Sequence, residues 1–130
     1  MRFSQSAYLQ SQAYFMISDM MDRMRGNITG VNDGFYDSLS TSSGATDPDC
    51  NRNYCNARQL AAQDLFDWST YLHPLRSTAD FIPLLPSSDS IVARAAVSVQ
   101  ANGLFEVTVS WSEKIGNTNA EQSLALEFAP

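Results

Sequence analysis

Cys50 and Cys55 close the run Cys50-Asn51-Arg52-Asn53-Tyr54-Cys55, and no other pair in this chain is better placed to do chemistry. Two thiolates fall short of the tetrahedral set that a structural zinc ion takes, and the lone histidine, His73, lies far off in sequence. A CxxC redox pair has a different spacing. A disulfide made in an oxidising compartment is therefore preferred to two free thiols. Closing so small a loop stabilises the fold by roughly 2 kcal/mol on the chain-entropy account.

The other reactive side chains are scattered. Asp47 and Asp49, with Asn51 or Asn53, imitate the start of a calcium loop. The glycine and distal glutamate of that motif are missing, so no metal is expected. Asn27-Ile28-Thr29 matches the N-glycosylation tripeptide, a pattern too short to carry weight. His73 precedes Pro74 and reads as a polar helix-end residue rather than a general base. Trp68 and Trp111 are the residues a sugar platform would use, yet each falls on the apolar side of its own element, which favours core packing. No GxSxG, Gly-rich phosphate loop, HExxH or paired CxxC is found. The acidic residues sit mostly on helix faces, caps and turns. No catalytic residue and no cofactor is expected, and the chain reads as a non-enzyme.

With 130 residues the chain fits one domain, residues 1–130, large enough for a single core. It carries a net charge of −6, from eight Lys and Arg against fourteen Asp and Glu. The basic residues are dispersed, so neither a nucleic acid nor an anionic membrane surface is an expected partner. No apolar run approaches the ~20 residues that span a bilayer, and no signal peptide is visible.

The elements that must position these residues read as α+β. Residues 3–25 form a long amphipathic helix of about 34 Å, with Leu9, Ala13, Met16, Met20 and Met24 in one row. Tyr14, Ile17 and Met21 form the adjoining row. Asp19 and Arg23 make an i,i+4 pair, and Gly26 is the expected stop. Residues 26–56 are rich in Gly, Asn, Asp, Ser and Thr and read as an irregular loop. A short second helix occupies 57–72, capped by Asn56 with Gln59 as the capping-box partner. Leu60, Ala61, Leu65, Trp68 and Leu72 share its inner face, while Gln63, Asp64 and Asp67 lie away from it. Residues 73–90 are a Pro-punctuated loop holding the apolar patch Phe81 to Leu85, either a short edge strand or a packed loop. Antiparallel strands fill 91–129, turning at Asn102-Gly103 and at 116–119. Phe105, Val107, Val109 and Trp111 face inward, and the sheet needs a helix on that side.

Three runs carry a resemblance. Ser18 to Asn27 is similar to a D-x-x-D-R-M-R-x-N helix end. Cys50 to Trp68 is similar to a C…C-x-x-x-Q-L-A-x-x-D-x-x-x-W run, and Phe105 to Glu113 to a late V-T-V-x-W strand. In this order, spanning residues 18 to 113, they resemble the heads of PilV-type minor pilins, the pilus modification proteins of type IV pili. The resemblance implies a pilin-like head, with the long first helix laid on a small antiparallel sheet. It implies a subunit at the periplasmic face of the inner membrane and in the filament, whose partners are other minor and major pilins and a tip adhesin. Pilins of this type begin with a cleaved leader and a hydrophobic segment carrying a glutamate, so the chain reads as the head without that segment. Membrane attachment is expected only through it. Two other readings stand beside this one, a type II secretion pseudopilin and a periplasmic carbohydrate-binding domain.

The first turns of the long helix are the expected docking surface. Phe3, Ala7 and Tyr8 precede the continuous apolar rows and are not needed by a small sheet. An assembling subunit can bury them against a neighbouring helix.

Overall fold

The computed structural model describes residues 2–75 and 80–130, with side chains from residue 5 onward. Among these are three helices, α1 (Arg2–Arg25), α2 (Ile28–Asn32) and α3 (Ala57–Ser69). Four strands accompany them: β1 (Ser38–Ser40), β2 (Arg94–Val99), β3 (Phe105–Ile115) and β4 (Thr118–Phe128). The sheet is antiparallel throughout, in the order β1-β2-β3-β4.

α1 contains neither Gly nor Pro, and its buried residues Leu9, Ala13, Met16, Ile17, Met20 and Met24 recur at three- and four-residue steps. That stripe lies on β3 and β4, where Val107, Val109, Trp111 and Phe128 meet it in one core. Tyr14, expected in the adjoining apolar row, is exposed instead, because the sheet covers only one flank of the helix. The stop expected at Gly26 is also made differently. Gly26 is not left-handed; Asn27 follows it buried, and its side chain accepts from Gly30 N–H to cap α2.

The segment 26–56 is less irregular than its composition suggests. α2 forms on the Asn27 cap, and Ser38–Ser40 joins β2 through the pairs Ser38↔Ser98, Leu39↔Val97 and Ser40↔Ala96. Thr41 extends this contact, its backbone N–H donating to Ala95 carbonyl and its hydroxyl accepting from Ala95 N–H. Long-range pairing overrides the weak strand preference of serine here.

α3 ends at Ser69, short of the expected residue 72. Tyr71 and Leu72 continue it with tighter bonds to Trp68 and Ser69 carbonyls. Trp68 is fully buried and donates from Nε1 to Met16 carbonyl at 2.9 Å, which ties α3 to α1. Leu60 is exposed rather than inner, whereas Asp64, expected on the wet face, turns inward toward α1. The apolar patch 81–85 is a packed loop. Leu85 is buried and Leu84 N–H donates to Tyr71 carbonyl, while Ile82 stays exposed.

β2 occupies 94–99, shorter than the expected 91–100, since Ala93 N–H is taken by Ser87 Oγ. The β2–β3 connection turns at Asn102-Gly103 as expected. Gly103 N–H donates to Gln100 carbonyl and Gly103 adopts φ 85°, a turn followed by a left-handed glycine. The β3–β4 loop is only Gly116-Asn117, so Thr118 and Asn119 belong to the strand. On β3 the expected alternation holds from Phe105 to Val109. Ser110 and Ser112 are buried as well, under the Arg94–Glu121 ion pair that bridges β2 and β4.

Candidate functional site

Cys50 and Cys55 form the expected disulfide, with Cα atoms 5.6 Å apart. The bridge lies just ahead of α3, whose N-terminus is closed by a full capping box between Asn56 and Gln59. Cys50 N–H donates to Gln63 Oε1, so the loop is tied to the helix it precedes. Replacing both cysteines with alanine should cost about 2 kcal/mol. Urea titration of the variant against the parent checks this, with the helical content expected to persist.

The would-be calcium ligands are occupied locally. Asp47 accepts from Asp49 N–H, Asp49 pairs with Arg52 at 3.6 Å, and Asn53 donates to the carbonyls of Pro48 and Asp49. Among the described residues no three His, Cys, Asp or Glu gather as a metal site. Asn27 of the glycosylation tripeptide is buried, its amide donating to Tyr36 Oη and Ala57 carbonyl, so it is closed to modification. Trp68 and Trp111 are both buried and present no platform to a sugar. His73 lies beyond α3, and burial pushes its imidazole below its usual pKa.

The polar centre of the molecule is a joint between α1 and α3. Arg23 Nε binds Asp19 at 2.7 Å, and its Nη1 lies 3.5 Å from both Asp64 and Asp67. Burial works against the Arg23 charge, but Asp19 and its neighbours outweigh it and hold the guanidinium above its ordinary pKa. Tyr36 donates its hydroxyl to Asp64, and Asn27 donates to the same Tyr36 oxygen. Burial and Asp64 keep the Tyr36 phenol protonated well above its usual range. Gly30 makes room for this arrangement, since a Cβ there would lie 2.5 Å from Asn27 Nδ2. The sequence pointed to Asp19–Arg23 alone. Tyr36 and Asp64 come from segments read as loop and wet face, and no local spacing joins them.

The outer face of α1 carries exposed aromatic side chains among polar ones. Ala7 is exposed and Tyr8 is 60% exposed. Phe3 lies on the first turn of α1, and its side chain is outside the described residues. Tyr14 and Phe15, seven residues after Ala7 and Tyr8 and so on the same faces, are exposed too, Phe15 resting edge-on against Tyr71. That seven-residue repeat was visible in the sequence but hidden among core rows. Tyr8 also borders an open groove of about 420 Å³ whose far wall is Ile82, Pro83 and Leu84. No helix among the described residues is long and apolar enough to cross a membrane. Compared with protein-family models, curated proteins and solved structures, the chain finds no match.

Proposed function

We propose that this chain is the head of a minor pilin of the PilV type, a non-enzymatic subunit that docks with other pilins to prime or modify type IV pilus assembly. One observation carries this reading: the three runs that resemble the family interlock in space. Arg23 and Asn27 of the first run reach Asp64, Asp67 and Ala57 of the second, and Trp68 of the second bonds Met16 on the helix that bears the first. Trp111 of the third run lies in the core beneath the same helix. A motif whose members hold one another has a structural reason to be kept together.

The docking element in this reading is the outer face of α1, with Ala7, Tyr8, Tyr14 and Phe15 available to neighbouring helices. A pilin of this type also requires an apolar helical segment with a glutamate ahead of this chain in the gene product. Burial of Trp68 and Trp111 weighs against a carbohydrate-binding role through the tryptophans and leaves such a role only the Ser-rich loop at residues 38–44. A type II pseudopilin uses the same elements and differs in its partners.

Tyr8→Ser combined with Ala7→Ser should leave the melting temperature of the head nearly unchanged, because both side chains are exposed. In the full-length protein the pair should weaken co-purification with other minor pilins and reduce surface piliation. Undiminished co-purification would remove this face from the docking surface. Co-purification with secretion pseudopilins instead would move the chain to that machine.

A further inference from the structure

β4 is a long strand at one edge of the sheet. Sheet order leaves it outermost, and its eleven residues pair with β3 without a bulge. The run Thr118–Phe128 has no proline or lysine, and its charges are Glu121 and Glu127 alone. Glu121, Ser123, Ala125 and Glu127 point outward and are exposed, while Leu124 and Leu126 are half-buried on the α1 side. Beside this edge runs an open groove of about 430 Å³ lined by Ala7, Gln10, Ser11, Tyr14 and Leu124. Tyr14 is 58% exposed there.

We infer that this edge and groove form a twofold interface with a second copy of the chain, β4 pairing antiparallel with the partner's β4 about Ser123. The strand is its own antiparallel complement. Centred on Ser123, the pairing sets Thr118 against the partner's Phe128 and uses every residue of the element. Glu121 then faces the partner's Ala125, and Glu127 faces the partner's Asn119, so no glutamate opposes another. A one-residue shift, centring on Leu124, puts Glu121 against the partner's Glu127, a destabilising like-charge pair. Centring on Gln122 also keeps the glutamates apart but pairs fewer residues of the strand, so length and charge together favour the centre at Ser123.

The helix layer fits the same symmetry. α1 packs over β3 and β4. With strands about 4.8 Å apart, a twofold axis beyond β4 lies roughly 5 Å from the line of α1. The two copies of α1 then run roughly 10 Å apart, the separation at which helices pack. Ala7 and Ser11 are small enough to allow that approach, and Tyr14 and Leu124 lose their exposure to water. With a charge of −6 on each copy, association should strengthen as salt screens the repulsion. This inference does not depend on the pilin assignment; such a dimer covers Ala7 and Tyr14 and leaves Tyr8 and Phe15 to other partners.

Sedimentation equilibrium of the purified chain tests it. The apparent mass should rise from 14.4 kDa toward twice that value with concentration, and more readily at high salt. Ser123→Lys places two ammonium groups opposite each other on the axis and should weaken association by about tenfold. Ser123 is exposed, so the melting temperature should not move. Ser123→Cys should cross-link under mild oxidation with the native disulfide intact, since cross-strand Cα atoms on the axis lie about 4.5–5.5 Å apart. Ala125→Cys should not, because its two copies are roughly 14 Å apart in this register. A mass fixed at 14.4 kDa at the highest soluble concentration overturns the inference. So does an association indifferent to Ser123→Lys, or cross-linking through position 125 rather than 123.

Discussion

Trp111→Ala should destabilise the fold by about 3–5 kcal/mol, the usual cost of emptying a large aromatic site. The side chain is 1% exposed and sits in the core shared by β3, α1 and Phe128. Its Nε1 also faces Glu113 Oε1 at 3.4 Å, and Glu113 is itself buried, so truncation strips a partner from a buried carboxylate. Trp68→Ala should cost at least as much, since it removes both a fully buried ring and the 2.9 Å bond to Met16 carbonyl. For a domain with roughly 5–15 kcal/mol of total stability either change is a large fraction. Melting temperatures should fall by roughly 10–20 °C. Trp68→Phe keeps much of the packing and loses the bond, so it should fall between Trp68→Ala and the parent. A drop of only a degree or two for Trp111→Ala would mean the site collapses around the missing ring, and the core assigned to it would be wrong.

What was legible beforehand follows from which interactions are local. The α1 stripe and the alternation of β3 and β4 are periodic signals, and both mark the buried faces correctly at Met16, Met20, Val107 and Val109. The Asn56–Gln59 box and the Cys50–Cys55 bridge depend on residues close in sequence and were readable for that reason. β1 was not, because Ser38–Ser40 has no strand signature and exists only as the partner of β2. Asp64 was misplaced for a related reason. A charged residue on a helix reads as solvated, and only Tyr36 and Arg23, 28 and 41 positions away, make its burial tolerable. The exposed α1 face was half read. Ala7 and Tyr8 stood out as preceding the core rows, while Tyr14 was assigned to an apolar row with Ile17 and Met21, which the body does cover.

Removing the charge at the α1–α3 joint should be the other severe change. Arg23 is the guanidinium shared by Asp19, Asp64 and Asp67, and about three-quarters of its side chain is out of water. Arg23→Ala leaves these carboxylates facing one another in a half-buried pocket. The cost at neutral pH should be about 2–4 kcal/mol, toward the lower part of the range for stranded buried charges because water still reaches the site. The pH dependence identifies the cause. Burial raises the Asp64 pKa above its ordinary value, against the opposing pull of the Tyr36 hydrogen bond and Arg23. A carboxyl whose folded pKa lies above its unfolded one binds its proton more tightly when folded. Its contribution is therefore fully present below the unfolded pKa and is lost as pH rises through the folded one. In the parent protein this group should favour the fold as pH falls from neutral toward the carboxylate range. In Arg23→Ala the effect should grow, since protonation relieves the repulsion that the arginine no longer offsets, and part of the lost stability should return on acidification. Asp64→Asn removes the surplus charge while keeping an acceptor for the Tyr36 hydroxyl, so it should be nearly neutral and should flatten this component of the pH profile. Urea titrations of the three proteins at neutral and mildly acidic pH decide the matter. An Arg23→Ala deficit that stays constant or widens on acidification would show that arginine contributes through packing of its stem, and that the excess of carboxylates at this joint carries no penalty.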